Sequence, residues 1–381
     1  MTDALHFSPT VLGWAADQAG LSLRALAERV SKRAANCIEH GELTTTQAMK
    51  FAKEAGVPFG YLFLSVPPAQ RSELSVADFR TLPGAHPLSK DFYDVYDDIE
   101  FKQSWYREYL QREGAAPRPF VGKFRGSKMA AEVVATDIRA TLAIVAAQQS
   151  ARTSEELYSL LVRNAETLGV LVFKNGIVGN NTRRGLSVSE FRGFAMSDPL
   201  APVIFINGAD AAAAWIFILL HELAHIWLGE SGISDTSPSS RNRQELLCNA
   251  IAADALVPRA AFVKAWEQAT GIAEKKVDFL RRIFKVSALV IGRRAFDLNL
   301  VGIDFYERMY AEVRARSNNA DKTGGGNFYS TLAVRNSKRF SRSVAALASS
   351  GGISLREAGQ LLNTNPNNVV VFHAQQRTLP T

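Results

Sequence analysis

The stretch Ala211-Ala-Ala-Ala-Trp-Ile-Phe-Ile-Leu-Leu-His-Glu-Leu-Ala-His225 decides how this chain folds. Its apolar run ends at Leu220 and leads directly into two ionisable side chains. It is too short to cross a bilayer and reads as a buried helix. On a helix, His221 and His225 lie four residues apart and project from one face about one turn from each other, so both can grip one metal ion. Glu222 is rotated by about 100° around the axis. That places its carboxylate beside an attacking water rather than on the metal, which is a general-base position. The plain alternative is a buried amphipathic helix whose histidines are satisfied by hydrogen bonds.

A catalytic zinc takes three protein ligands and keeps a fourth position open. Position 231, six residues beyond His225, is a serine, and the only later histidine is His373, so the third ligand should be a carboxylate. Glu245 fits best. It opens the next helix after a Gly/Ser/Pro-rich loop that lets the chain double back, and its apolar neighbours would bring that helix against the first. One turn further on the same face, Asn249 can accept the free ring N–H of a ligating histidine and fix its tautomer. Ala252 and Ala253 are small enough for close helix approach. Asp254 is the competing carboxylate, ranked lower because it sits at the helix end, and Cys248 reads as a small buried hydrophobe.

Three short β-branched and aromatic runs precede the metal helix: Gly169–Phe173, Phe191–Ala195 and Pro202–Ile206. They are expected to form a small antiparallel sheet; Phe191–Ala195 could be an exposed edge on which a substrate strand pairs, the alternative being a small sheet that merely packs on the metal helix. Helices are expected at about 88–112, 129–148, 153–168, 210–229 and 241–256, the last stopped by Val257-Pro258. Residues 8–64 read as short helices opened by Ser8-Pro9 and Leu21-Ser22, and the tail from about 260 reads as mainly helical, broken at Gly324-Gly325-Gly326. The expected fold class is α+β, mostly helical. The domains are expected at 1–70 (a helical module), 71–150 (connector and helical segment), 151–265 (the metal-binding domain) and 266–381 (a mainly helical accessory domain).

The 381 residues suffice for several domains, and 47% hydrophobic with 21% charged residues is ordinary for a soluble protein. Two distant cysteines, Cys37 and Cys248, exclude a disulfide framework and fit a reducing compartment, so the expected location is the cytoplasm. No export signal precedes the first helix. A net charge of +7 permits contact with nucleic acid without requiring it.

These residues resemble the ImmA/IrrE family of metallopeptidases, in the long form with an N-terminal Xre-type helix-turn-helix-like region. The resemblance rests on Asp78-Phe-Arg-Thr81, Glu190 to Asp198, His221 to Gly229, and Glu245-Leu-Leu-Cys-Asn-Ala-Ile-Ala-Ala-Asp-Ala-Leu-Val-Pro258. It implies a gluzincin-like metallopeptidase domain flanked by helical N- and C-terminal domains, with Zn2+ at His221, His225 and Glu245. It further implies selective cleavage of a partner protein, typically a helix-turn-helix repressor encoded nearby, in mobile-element, stress-response or toxin–antitoxin regulation. Manganese also suits a His/His/Glu site.

The N-terminal module departs from the pattern. Leu26-Ala27-Glu28 and Ile38-Glu39-His40-Gly41 match the ends of a helix-turn-helix unit, but the stretch between them is about two residues short of what a recognition helix needs. Lys32, Arg33 and Asn36 could touch phosphate or base edges, and a protein-docking role fits equally well. The alternative function is therefore a DNA-binding regulator or antitoxin in which the metal domain is a sensor or structural module.

Overall fold

The computed structural model describes residues 4–68, 77–78, 88–234, 242–319 and 327–378. Leu82-Pro83-Gly84, Phe79–Thr81 of the family-like segment, the Ser/Pro-rich loop over 235–241 and Gly324–Gly326 lie outside them. The chain divides into two compact units, Met1–Ser75 and Val76–Thr381.

The first unit contains β1 (Ala4–His6), α1 (Pro9–Gln18), α2 (Leu23–Val30), α3 (Ala35–Glu39), β2 (Glu42–Thr44) and α4 (Thr45–Ala55). Its helices start where side chains satisfy the first free N–H groups. Ser22 accepts from the Ala25 amide, and Thr44 and Gln47 form a reciprocal capping box. β1 and β2 pair antiparallel. At Gly41, φ is +89° and an added Cβ would lie 2.2 Å from the Phe7 carbonyl oxygen, so only glycine fits. Leu12, Leu26, Ile38, Leu43 and Phe51 fill the core. The helix following the α2 turn is short: α3 has five residues. Its Asn36 accepts from Arg24 Nη1 at 2.7 Å.

The second unit runs β3 (Ala77–Asp78), α5 (Lys90–Arg112), α6 (Ala131–Thr141), α7 (Ile144–Ser150), α8 (Ser154–Leu168), β4 (Leu171–Asn175), β5 (Ile177–Val178), β6 (Asn181–Gly185), β7 (Gly193–Met196), β8 (Val203–Asn207), α9 (Ala212–Leu228), β9 (Gly232–Ser234), α10 (Arg243–Leu256), α11 (Arg259–Gln268), α12 (Ala273–Phe284), α13 (Ala288–Asp297), α14 (Ile303–Asn319), α15 (Phe328–Arg335), α16 (Lys338–Ser349), α17 (Leu355–Leu361) and α18 (Pro366–Thr378). The α+β, mostly helical class is what the sequence predicts. The single helix expected over 129–148 is two, because the chain turns through Leu142 and Ala143, whose φ is +50°.

The sheet corrects two expectations. It is mixed, not antiparallel, with strand order β3-β9-β7-β8-β4. β7 is antiparallel to both neighbours, while β4 pairs parallel with β8 and β3 with β9. The long passage from β4 to β8, through the β5–β6 hairpin and β7, supplies the return that a parallel pair requires. β7 is also an interior strand, so Phe191–Ala195 does not end in a free edge. Every residue of β7 and β8 is buried, which is why neither shows an in/out alternation.

α9 packs against β7 and β8 and touches α6, α8, α10 and α13. Such enclosure explains why it is apolar around most of its circumference. Gly229, at φ +75°, ends it in the left-handed conformation. Asn242 caps α10 by accepting from the Gln244 amide at 2.9 Å. α10 then lies against both α9 and α6, with Cys248, Ile251, Ala252 and Ala253 buried in the common core.

Candidate metal centre

α9 and α10 bring three ligand-type atoms to one point. His221 Nε2 and His225 Nε2 are 3.2 Å apart. Glu245 lies across from them, with Oε2 at 3.2 Å from His221 Nε2 and Oε1 at 3.1 Å from His225 Nε2. All three residues have no exposed surface. His221 and His225 are one turn apart on the buried side of α9, and Glu245 stands in the first turn of α10, which the helix cap orients.

The donor set suits a small divalent cation. His221 Nδ1–H donates to Asn249 Oδ1 at 3.0 Å, which leaves the lone pair of Nε2 facing its partners. Burial holds His225 below the ordinary histidine value. Burial pushes Glu245 up, but the two histidines outweigh it and hold the carboxyl at about 2. Two imidazole lone pairs and a carboxylate thus converge out of water. A tetrahedral zinc with Zn–N of about 2.0–2.1 Å sets its ligand atoms roughly 3.3 Å apart, which is the spacing found.

Glu222 stands beside this trio and is not part of it. Its carboxyl is raised well above the ordinary value, first by burial and then by the charge of Glu245. Oε2 accepts from Ser234 Oγ at 3.0 Å, and Oε1 has no hydrogen-bond partner among the described residues. Asp254, the competing carboxylate, lies outside the trio: it is ion-paired with the buried Arg294 guanidinium and accepts from the Arg259 amide at 2.9 Å. Cys248 is fully buried, and burial pushes its thiol well up.

Two neighbours escaped the sequence reading. Ser234 belongs to the three-residue β9, too short to carry a period-2 signal. At Gly193 on β7, an added Cβ would lie 2.6 Å from Glu222 Oε1 and 2.9 Å from the Phe205 carbonyl oxygen. The hint was an interior glycine in a strand, which marks close approach by another group.

A mostly helical α+β domain with this buried trio has the build of a metallopeptidase. Residues 165–296 match the family model of the IrrE N-terminal-like domain (Peptidase_M78), from the end of α8 to α13. There the chain is similar to metallopeptidases of the ImmA/IrrE kind, which generally depend on zinc and act on proteins. Residues 336–375 match a domain of unknown function (DUF8813). No curated protein and no solved structure matches the chain. Among the described residues, no single helix is long and apolar enough to cross a membrane.

Proposed function

We propose that the chain is a cytoplasmic zinc endopeptidase that cleaves a partner protein selectively, a helix-turn-helix repressor encoded nearby being the substrate class, in mobile-element, stress-response or toxin–antitoxin control. One observation carries the peptidase reading: the convergence of His221, His225 and Glu245, with Glu222 on the helix that carries both histidines. His221, His225 and Glu245 hold the metal, zinc or manganese, and Asn249 sets the His221 tautomer. When bound, the metal supplies Lewis acidity toward a carbonyl oxygen and a water. Glu222 takes the proton of the attacking water at Oε1 and delivers it to the leaving amide nitrogen. The repressor substrate rests on the resemblance read from the sequence.

The test is metal content together with cleavage of a small helix-turn-helix protein encoded beside this chain. Purified protein should hold one zinc, and Glu222→Gln should keep it while cleavage falls by about 10²–10⁴. Cleavage retained by Glu222→Gln would overturn the assignment.

A second reading, a regulator whose metal domain senses or stabilises, is favoured by the complete burial of all four site side chains. Under it, zinc removal changes stability or partner binding, and no protein is cut in any condition.

A further inference from the structure

The positive charge of the chain is concentrated at its C-terminal end. Residues 327–378 carry six basic side chains (Arg335, Lys338, Arg339, Arg342, Arg356 and Arg377) against the single acid Glu357, while the whole chain has a net +7. The same segment folds as four helices, α15 to α18, and the last two are joined by a tight turn.

α17 ends at Leu361, the turn passes through Asn363 at φ +52°, and α18 begins at Pro366. Gly359 sits inside α17 where the returning chain crosses it, and an added Cβ would lie 2.7 Å from the Thr364 carbonyl oxygen. A small residue is therefore required there. Ala358 and Leu361 from the first helix, and Val369 and Phe372 from the second, are fully buried together with Phe340 and Val344 of α16. Asn365 starts α18 by accepting from the Asn368 amide at 2.9 Å, with Pro366 as the first helical residue. A short helix, a turn with one left-handed residue, a small residue at the crossing and a second helix docked through two apolar positions make a helix-turn-helix.

The outer face of α18 carries Asn367, Val370, Val371 and Ala374, all exposed, with Val370 at 51% and Val371 at 41%. This composition suits the major groove: an asparagine can bond an adenine edge in two places, and small apolar groups meet thymine methyls. Arg342 of α16 is exposed and donates to Gln376 of α18 at 3.0 Å, and Lys338 and Arg356 are exposed on α16 and α17; cations on helices packed against a recognition helix can bind phosphates. The turn is anchored to the rest of the unit, because Asn363 Nδ2 donates to the Asp98 carboxylate at 3.1 Å and the buried Lys102 donates to Asn336 at 2.8 Å. The N-terminal module offers no equivalent, since its α3 has five residues and Arg24 already holds Asn36.

We propose that α16–α18 bind double-stranded DNA, with α18 as the helix that enters the major groove. This goes beyond the peptidase reading and does not depend on it.

The experiment selects duplexes from a randomised pool with the full-length protein, then measures fluorescence anisotropy on the enriched duplex and on a scrambled one. Asn367→Ala should weaken binding to the enriched duplex by roughly tenfold or more and leave the scrambled one unchanged. Arg356→Ala should weaken both and flatten the salt dependence by about one contact. No enrichment at low salt would overturn the proposal. So would full binding by Asn367→Ala and Val371→Glu together, or binding that is lost on Lys32→Ala with Arg33→Ala and kept in the α18 variants. If Val371→Glu leaves DNA binding intact but dissociates a dimer in sedimentation, the face is a contact between copies and the proposal falls.

Discussion

Ser234 Oγ donates a 3.0 Å hydrogen bond to Glu222 Oε2, and it does so from a strand paired along β7. β9 thereby occupies one side of β7 and β8 the other, leaving β7 no free backbone for an added strand. A hydrogen bond to a carboxylate contributes about 1.5–3 kcal/mol, so Ser234→Ala should speed hydrogen exchange of the Gly232–Ser234 amides about tenfold at unchanged metal content. Unaltered exchange would show that Ser234 does not hold β9 in place.

In the proposed site Asn249 acts through His221. Its Oδ1 accepts from the ring N–H and keeps the opposite nitrogen available as a ligand. Asn249→Ala should lower metal affinity by about 10–100-fold, while Asn249→Asp restores most of it. Competition with a chromophoric chelator measures both, and equal affinities in all three proteins would refute the role.

Asp254 and Arg294 form an ion pair with both side chains largely buried, at 11% and 6% exposure. Removing one partner leaves an uncompensated charge, so Asp254→Ala should cost about 3–5 kcal/mol in denaturant unfolding. Metal stoichiometry should stay the same. Loss of zinc without loss of stability would instead make Asp254 a ligand.

Gly193 has no room for a methyl group between Glu222 and the Phe205 carbonyl. The backbone oxygen cannot give way, so Gly193→Ala displaces the Glu222 side chain. A misplacement of about 1 Å costs on the order of 10²-fold in rate. Cleavage should fall by that amount with zinc retained, and wild-type cleavage would argue that Glu222 is not the base.

The metal-free protein should be acid-labile in two stages. His225 is held below its usual 6.5, so as pH falls below 6.5 the unfolded chain takes up a proton that the folded one refuses. Glu245 is held at about 2 against an ordinary 4.5, so the same imbalance returns between 4.5 and 2. In both windows the unfolded state binds more protons, and stability therefore declines as pH drops. Urea unfolding of chelator-treated protein at successive pH values should show both losses, and a flat profile would contradict them.

The parts legible in the sequence were those encoded locally. Helix starts announced themselves through Ser8-Pro9 and Leu21-Ser22, and α9 through an apolar run that leads into His221 and Glu222. Histidines at i and i+4 share a helix face whatever surrounds them, and Glu245 with Asn249 repeats that spacing on α10. Their convergence followed once two apolar helices were expected to pack. The break at Ala143 was not legible, because nothing in an alanine announces a positive φ.

What the sequence by itself determined is therefore the helical frame and the identity of the side chains offered to a metal, since both depend on contacts within four residues along one helix. Only the tertiary structure decided the sheet order, the interior place of β7, the insertion of β9 with Ser234 against Glu222, and the pairing of Asp254 with Arg294. Those relationships join residues far apart in the chain. A strand of two or three residues carries no periodicity from which its partner could be read, and a carboxylate's partner is set by which helices pack together.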